Sequence, residues 1–250
     1  MGILGKKLVA AVCSPVVWIP ALVLLALTAL FRLTDLDMAA VRPFFSGCTP
    51  GDQIPDRWPL MNAYPWKALY DFGIYPALLM GAGGLVVWVA SFIWPSKLER
   101  WRDEGLFYGL LLIVGPGIIV NSALKPYWGR PRPNNVVEFG GSCEFLPVWV
   151  WGRGQEESSF PSCHASMGFC LMAPAFVHYR RRRRLAVYFF LIGLAAGCLL
   201  GVTRVVAGGH FPSDVLWAGG LIYFTALLIA APFRFGIRGY PPEQEAETSG

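Results

Sequence analysis

The chain has 250 residues, of which 55% are hydrophobic and only 15% are charged. Soluble domains carry about a quarter charged residues, so this composition excludes an ordinary soluble domain and indicates an integral membrane protein. The formal net charge of +5 does not indicate a nucleic-acid partner, because the cations cluster beside apolar segments and no surface of aromatic and basic residues lies outside them.

Six apolar runs, taken in chain order, predict the fold. Each run approaches the length of a bilayer-spanning helix, and the first is too long for the apolar core of a cleaved signal peptide. Residues 32–67 between the first two runs predict a sizeable loop with a short interfacial helix. We therefore expect an all-α, polytopic six-helix membrane bundle, residues 1–235, followed by a disordered tail, residues 236–250. The predicted spans are about residues 8–31, 70–94, 106–124, 164–179, 185–202 and 215–233.

The positive charges between these runs predict the orientation of the bundle. With six spans, most of the clustered cations fall on one side, and loops rich in lysine and arginine stay in the cytoplasm. Both termini are then cytoplasmic, and the remaining loops share the outer face. The cations on the predicted inner side are Lys6, Lys7, Lys97, Arg100, Arg102, the run Arg180–Arg184, Arg234 and Arg238.

Three polar stretches lie at the outer ends of the predicted spans. They are residues 125–133 (KPYWGRPRP), 159–166 (SFPSCHAS) and 203–214 (TRVVAGGHFPSD). Unpaired polar groups are costly at the edge of a bilayer. Their convergence on one face therefore predicts a site that several helices assemble together.

The cations in these stretches suit a phosphate. Each of them alone could extend to the lipid headgroups. Together they favour a bound anion, because an arginine fork binds two phosphate oxygens and a lysine adds a point charge. The prolines that flank Arg132 restrict its backbone. The four cations are Lys125, Arg130, Arg132 and Arg204.

Two histidines in the polar stretches, His164 and His210, supply the chemistry that the cations lack. An imidazole can attack phosphorus or protonate a leaving oxygen, and two imidazoles can divide these roles. Asp214, four residues after His210, can orient that imidazole or simply cap the sixth helix. Ser162, with the N–H groups of Cys163 and His164, opens the fourth span either as a phosphate cradle or as an ordinary serine cap.

The six cysteines show no CxxC pattern and no His/Cys spacing suited to zinc, so no metal is expected. Cys48 and Cys143 fall in the two outer loops, where an oxidising compartment permits a disulfide. The sequence leaves this pairing open, because the distance between the two residues cannot be inferred from spacing.

The three stretches resemble, in order, the signature of the type 2 phosphatidic acid phosphatase superfamily. Residues 125–133 match K-x6-R-P, residues 161–164 resemble P-S-G-H, and residues 203–214 resemble S-R-x5-H-x3-D. The resemblance covers residues 106–233 well and the first two spans only in outline. It implies a six-helix membrane phosphatase that uses no metal or other cofactor. The implied roles are His210 as the nucleophile that forms a phosphohistidine, Asp214 as its orienting partner, His164 as general acid, and Lys125, Arg132 and Arg204 as phosphate ligands assisted by Ser162, with Cys163 in the cradle.

Two residues depart from this signature. Thr203 replaces the usual serine and keeps a hydroxyl group. Cys163 stands where the family has glycine, and its Cβ narrows the phosphate cradle or excludes a positive φ. Reduced activity or an altered substrate range is the expected consequence, and Cys163→Gly is not expected to lower turnover.

The substrate is less defined than the site. Residues 128–141, Cys143 and residues 159–166 look most like bacterial lipid A phosphatases, which implies a lipid A phosphate in a bacterial inner membrane and a site that faces the periplasm. The named residues bind phosphate and do not recognise the rest of the lipid. Undecaprenyl diphosphate, phosphatidylglycerol phosphate and phosphatidic acid are therefore alternative substrates, and a lipid phosphotransferase is an alternative activity. A transporter or structural protein is less favoured, because the two halves lack matching broken helices. Beyond the bilayer and this lipid, no protein or nucleic-acid partner is expected.

Overall fold

The computed structural model describes residues 14–49, 51–152, 158–233 and 235. Within these residues the fold is all-α, as predicted, with no β-structure beyond an isolated bridge between Val136 and Cys143. The predicted tail and the first residues of the first predicted span lie outside the described residues. The α-helices are α1 Pro15–Leu33, α2 Leu36–Val41, α3 Ile54–Arg57, α4 Trp66–Phe72, α5 Tyr75–Ile93, α6 Pro95–Leu98, α7 Arg102–Leu112, α8 Lys125–Trp128, α9 Cys163–Cys170, α10 Ala173–His178, α11 Arg183–Val206 and α12 Pro212–Ala230.

Five helical segments of the described chain are long and apolar enough to cross a membrane. They correspond to the first, second, third, fifth and sixth predicted runs, so the protein is an integral membrane protein. The five segments are Pro15–Leu33, Trp66–Ile93, Pro95–Asn135, Arg183–Val206 and Pro212–Ala230.

The fourth predicted span is instead two short helices, α9 and α10, separated at Leu171 and Met172. Pro174 explains the break, since proline lacks an N–H group and its ring clashes with the carbonyl of Cys170 one turn earlier. Residues 165–170 are all buried, and α9 packs against α11 and α12. This segment therefore occupies the centre of the bundle, and the count of six spans stays a prediction.

At the ends that carry the polar stretches, three helical segments extend a few residues beyond the predicted spans. The third segment stays helical through Trp128, so Lys125 is a helical residue. The fifth runs to Val206 and includes Arg204, and the sixth begins at Pro212, two residues before Asp214. Hydropathy falls before the backbone leaves the helical conformation, which is why the sequence criterion ended these helices early.

Between α7 and α8 the third segment is π-helical, from Ile113 to Leu124, and Pro116 lies within it. The wider π turn absorbs the missing N–H group and the bulk of the proline ring. The third segment therefore accommodates Pro116 by a local change of helix type. The segment then ends at Gly129, whose φ of +67° gives the left-handed conformation of a C-terminal cap.

The helices approach one another closely through glycines. A Cβ on Gly105 of α7 would lie 2.5 Å from the carbonyl oxygen of Gly84 in α5. A Cβ on Gly168 of α9 would lie 2.7 Å from the backbone of α11 at Ala196 and Gly197. Small residues permit such contacts in membrane bundles, where dispersion between close backbones replaces the hydrophobic effect as the main attraction.

The loop between the first two membrane segments folds over the end of the bundle that carries the polar stretches. It contains the short helices α2 and α3, in agreement with the predicted interfacial helix. Arg42 pairs with Glu138, and Arg57 donates to the carbonyls of Phe139 and Gly140, so the two large loops are tied together. Their buried apolar cluster is Met38, Val41, Trp58, Val136, Phe139, Val205 and Phe211.

Cys48 lies within this pair of loops and carries a free thiol. A Cβ on Gly140 would be only 2.7 Å from its Sγ atom, which places Cys48 against the segment that leads to Cys143. The two loops are therefore packed together without a disulfide at Cys48.

Candidate active site

The three polar stretches meet at one end of the bundle. Lys125 is the first residue of α8, His164 lies in the first turn of α9, Arg204 lies in the last turn of α11, and His210 lies in the loop that leads to α12. The charges of Arg204 and Lys125 act on both histidines, and Arg132 acts on both of these cations. The structure thus places Lys125, Arg132, His164, Arg204 and His210 near one another, and the roles assigned to them stay predictions.

His210 and Asp214 form the buried floor of this site. His210 is 2% exposed and Asp214 is fully buried. The Nδ1 atom of His210 lies 3.6 Å from Oδ2 of Asp214, slightly beyond hydrogen-bonding distance. Nδ1 has no other hydrogen-bond partner among the described residues. Because Nδ1 faces the carboxylate, Nε2 is the ring nitrogen left for a ligand.

Asp214 also binds the start of its own helix, which is the alternative role that the sequence offered, and its orientation of His210 stays a prediction. Its Oδ2 atom accepts from the backbone N–H of Phe211, the residue that precedes α12, at 2.8 Å. This hydrogen bond fixes the carboxylate relative to His210, since both residues belong to the same short turn.

Arg130 has a role that the sequence analysis missed. It is fully buried and donates to Oδ1 of Asp214 at 2.5 Å, to the hydroxyl of Ser213 at 2.8 Å and to Asp37 at 2.8 Å. Its Nε donates to the carbonyl of Leu146 at 2.9 Å. The guanidinium of Arg130, which the sequence only grouped with the other cations, is therefore enclosed behind the site and contacts Asp214.

Asp37, from α2 in the first loop, completes this buried charge cluster. It is 1% exposed and accepts from the N–H and hydroxyl of Ser213 as well as from Arg130. Burial raises the pKa of the Asp37 carboxyl, and the charge of Arg130 opposes that effect. Asp37 is marked only weakly in the sequence, as an acidic residue shortly after an apolar run, and Ser213 is not marked at all.

Burial also determines the charge of His210. It lowers the pKa of His210 to about 4, and the positive charges of Arg204 and Lys125 act in the same direction, while Asp214 opposes them. The imidazole is therefore neutral at neutral pH. A neutral imidazole keeps the lone pair that a nucleophile needs.

Ser162 caps α9, and its hydroxyl accepts from the N–H of Ala165 at 3.4 Å. The ordinary capping role considered in the sequence analysis is thus present. The first N–H groups of an α-helix have no intrahelical acceptor, and the helix dipole favours an anion there. The start of α9 therefore presents donors beside Lys125, at Cys163 and His164.

Cys163 is the first residue of α9 and does not have a positive φ. The concern that its Cβ excludes a required left-handed backbone is therefore unfounded. Its Sγ atom accepts from the side-chain amide of Asn121 at 3.2 Å, which directs the thiol toward the third segment. The hydroxyl of Thr203, the other departure, donates to the carbonyl of Leu200 in its own helix.

Arg204 and His164 share one further neighbour, Tyr70 of α4. The imidazole of His164 stacks on the Tyr70 ring with centroids 4.5 Å apart, and the guanidinium carbon of Arg204 lies 4.6 Å from the same centroid. Nothing in the sequence distinguished Tyr70 from the other interfacial aromatic residues. The Nε atom of Arg204 is buried without a partner among the described residues, as expected for a group that awaits an acceptor.

The described residues contain no group of three or more His, Cys, Asp or Glu side chains arranged to hold a metal ion. Apart from the buried carboxylate of Asp214, the charged side chains of the site are cations. The arrangement consists of a neutral imidazole on a buried carboxylate, a second imidazole, three cations and a helix N-terminus, which fits the binding and attack of a phosphate group.

Comparisons with known proteins agree with this geometry. The chain is 36% identical to a lipid A 4′-phosphatase of Francisella tularensis subsp. novicida, over 53% of this chain and 59% of that protein. It is 34% identical to a lipid A 4′-phosphatase of Rhizobium leguminosarum, over 81% of this chain and 91% of that protein. A lipid A 1-phosphatase of Rhizobium etli is 31% identical over 54% of this chain and 57% of its own length. No solved structure matches the chain significantly.

The sequence model of the PAP2 superfamily matches residues 105–235, which is more than half of the chain. This segment contains Lys125, His164, Arg204 and His210, the residues that the bundle brings together at one end. On the strength of that match and of the long alignment to the Rhizobium leguminosarum protein, the chain belongs to the PAP2 superfamily.

Proposed function

We propose that this protein is a membrane lipid phosphatase that hydrolyses a phosphate ester of lipid A through a phosphohistidine intermediate. The observation that carries the proposal is the neutral, buried imidazole of His210, backed by Asp214 and facing the charges of Lys125 and Arg204. Such a group is a nucleophile directed at a bound anion.

The phosphate binds between the cations and the start of α9. Lys125, Arg132 and Arg204 neutralise its charge, and the N–H groups at the start of α9, beside Ser162, donate to its oxygens. These groups are partly exposed while His210 lies beneath them. A phosphate at headgroup depth can therefore reach Nε2 of His210 without entering the bundle.

In the first step, Nε2 of His210 forms a bond to phosphorus, and the bond between phosphorus and the lipid oxygen breaks. The lipid oxygen takes the electron pair of that bond and a proton from His164, so the lipid leaves as an alcohol. The positive charge that develops on His210 is stabilised by Asp214, which Arg130 holds in place.

In the second step, water attacks the phosphohistidine while His164 accepts its proton. The bond between phosphorus and nitrogen breaks, its electron pair returns to His210, and inorganic phosphate leaves. Both histidines then have their starting protonation states. A phosphotransferase would share the first step and use a lipid hydroxyl in place of water in the second.

We infer that the bundle has six spans, with α9 and α10 as the fourth, and that the site faces the periplasm of a bacterial inner membrane. The support is the distribution of cations, since the exposed run Arg180–Arg184 lies between α10 and α11, at the ends of those helices remote from His164 and Arg204. Both termini are then cytoplasmic.

The 4′-phosphate of lipid A is the favoured substrate. The relatives named lipid A 4′-phosphatase include two aligned over 81% of this chain, whereas those named 1-phosphatase align over 54% and 55%. Undecaprenyl diphosphate, phosphatidylglycerol phosphate and phosphatidic acid are the alternatives, because the site residues recognise the phosphate that all of these lipids share.

The test is phosphate release by the purified protein in detergent from each of these four lipids, with mass spectrometry to locate the phosphate removed. We expect release from the 4′ position of lipid A by the wild type and none by His210→Ala. His178→Ala is the matched control, because His178 ends α10 at the other end of the bundle, and it should keep wild-type activity. Release by His210→Ala from any lipid would contradict the mechanism, and phosphate found on a second lipid would indicate a transferase.

A further inference from the structure

Tyr70 contacts two residues of the site at once. Its ring stacks on the imidazole of His164, at 4.5 Å between centroids and an angle of 17° between planes, and lies 4.6 Å from the guanidinium carbon of Arg204. It belongs to α4, outside the segment that matches the PAP2 superfamily. The ring therefore reaches the site from a part of the chain that the family signature does not cover.

The position of this ring is fixed by the packing of α4 against α11. A Cβ on Gly73, at the end of α4, would lie 2.2 Å from the side chain of Leu200. Within α4, Lys67 forms an ion pair with Asp71, one turn later, at 3.0 Å on the exposed side of the helix. The close approach at Gly73 holds α4 against the helix that carries Arg204, and this places the Tyr70 ring beside that guanidinium.

The orientation of the His164 imidazole depends mainly on its stacking against Tyr70. His210 has the carboxylate of Asp214 beside it, whereas no hydrogen bond between described residues holds the imidazole of His164. The imidazole of His164 is partly buried and lies near the charges of Arg204 and Lys125, and both effects disfavour its protonated form. The face of an aromatic ring attracts a cation, and an aligned stack restricts the plane of the imidazole.

Given the proposed function, we propose that Tyr70 is a positioning residue that holds the imidazole of His164 in the orientation needed for proton donation to the departing lipid oxygen. The proton moves from the His164 ring to that oxygen as the bond from oxygen to phosphorus breaks, and Tyr70 itself gains and loses nothing. The face of the Tyr70 ring makes the contact with His164, and the hydroxyl group is not required for it.

A test must separate this role from general damage to the site. Comparing kcat/KM for two substrates whose leaving groups differ in their need for a proton makes that separation. An alkyl phosphate such as the lipid substrate needs a general acid, because its alkoxide is a poor leaving group. A nitrophenyl phosphate needs little help, because nitrophenolate leaves unprotonated. The ratio of kcat/KM for the two substrates isolates the general-acid step, and it does not depend on the fraction of a preparation that is folded.

The variants are Tyr70→Leu, which removes the ring, Tyr70→Phe, which keeps the π face, and Tyr75→Leu as the matched control. Tyr75 lies in the next helix and contacts Phe72. We expect Tyr70→Leu to lower the lipid to nitrophenyl ratio by about 10-fold or more, within the range that a general acid contributes. Tyr70→Phe should restore the wild-type ratio, and Tyr75→Leu should leave it unchanged.

A double-mutant cycle with His164→Ala completes the test. Once the acid is gone, Tyr70→Leu should change the ratio by less than about 2-fold, since residues that act through one another are not additive. An unchanged ratio in the single variant Tyr70→Leu, an equal loss with both substrates, or the same loss in Tyr70→Phe would overturn the proposal. Failure of the proposed function is distinct, because the wild type would then release phosphate from neither substrate.

Discussion

Gly209 lies directly against the guanidinium of Arg204, and its replacement by alanine tests the placement of that cation. A Cβ on Gly209 would be 2.4 Å from Nη2, 2.9 Å from Cζ and 3.2 Å from Nε of Arg204. Ordinary contacts for a Cβ begin near 3.4 Å. The guanidinium must therefore move by about 1 Å, and it can do so because it ends a flexible side chain.

A shift of about 1 Å in a positioning group costs on the order of 100-fold in rate. We therefore expect Gly209→Ala to lower kcat/KM for the lipid about 100-fold, equivalent to about 2.7 kcal/mol of transition-state stabilisation. Stability should change little, since the backbone of Gly209 does not require a positive φ and no backbone atom or ring obstructs the new methyl group.

Two glycine controls sharpen this experiment. At Gly83 a Cβ meets nothing within 4 Å, so Gly83→Ala should keep both activity and melting temperature. At Gly208, with a φ of +64°, a Cβ would lie 2.4 Å from the Trp58 ring, so Gly208→Ala should lower the melting temperature. The assays are phosphate release and thermal unfolding in detergent. Wild-type kcat/KM in a folded Gly209→Ala variant would refute the assigned position of Arg204.

Three further predictions concern the groups around His210. Because the pKa of His210 is lowered to about 4, kcat/KM for a nitrophenyl phosphate, which needs little general-acid help, should be constant from pH 7 to about 5 after correction for substrate ionisation and fall only below that. A fall centred at the ordinary histidine value of about 6.5 would contradict a neutral buried nucleophile. Arg130→Met leaves Asp37 and Asp214 buried without their cation and should lower the free energy of unfolding by about 3–5 kcal/mol, measured by denaturation in detergent. Adding Asp37→Asn should recover part of that loss, and no recovery would mean that the two residues are not coupled. Cys163→Gly should not lower turnover, and a large loss would reveal an active role for the thiol.

The depressed pKa of His210 also predicts how stability depends on pH. Protonation of this histidine favours the unfolded state, in which its pKa is near the ordinary value. Its contribution to stability is therefore complete above about pH 6.5 and declines as the pH falls toward 4. His210→Asn should reduce this dependence in thermal unfolding scans.

The sequence predicted the helical class and the convergence of the three polar stretches because both follow from strong signals. Apolar runs of membrane length admit few structures other than helices. Polar groups at the ends of such runs need partners, and alternation of the spans puts these groups at one end of the bundle. His164, Arg204 and His210 could therefore be assigned to one site without any distance.

The residues that the sequence missed act through contacts between distant segments. Asp37 and Arg130 are 93 positions apart and meet only because the first loop folds over the start of α12. An arginine beside Arg132 resembles another phosphate ligand until burial shows that its guanidinium is enclosed by carboxylates. Tyr70 is one of 9 tyrosines, and its stacking on His164 depends on the close approach of α4 to α11. The break in the fourth span had a local cause, Pro174, whose consequence the hydropathy pattern concealed.

The most direct measurement of the central claim is the isolation of a phosphorylated intermediate. Protein incubated with lipid labelled in its phosphate is quenched in alkali, digested and analysed by mass spectrometry. We predict acid-labile, alkali-stable phosphate on His210 in the wild type and none in His210→Ala. Label on another residue, or label that persists in His210→Ala, would contradict the account of His210 as the nucleophile.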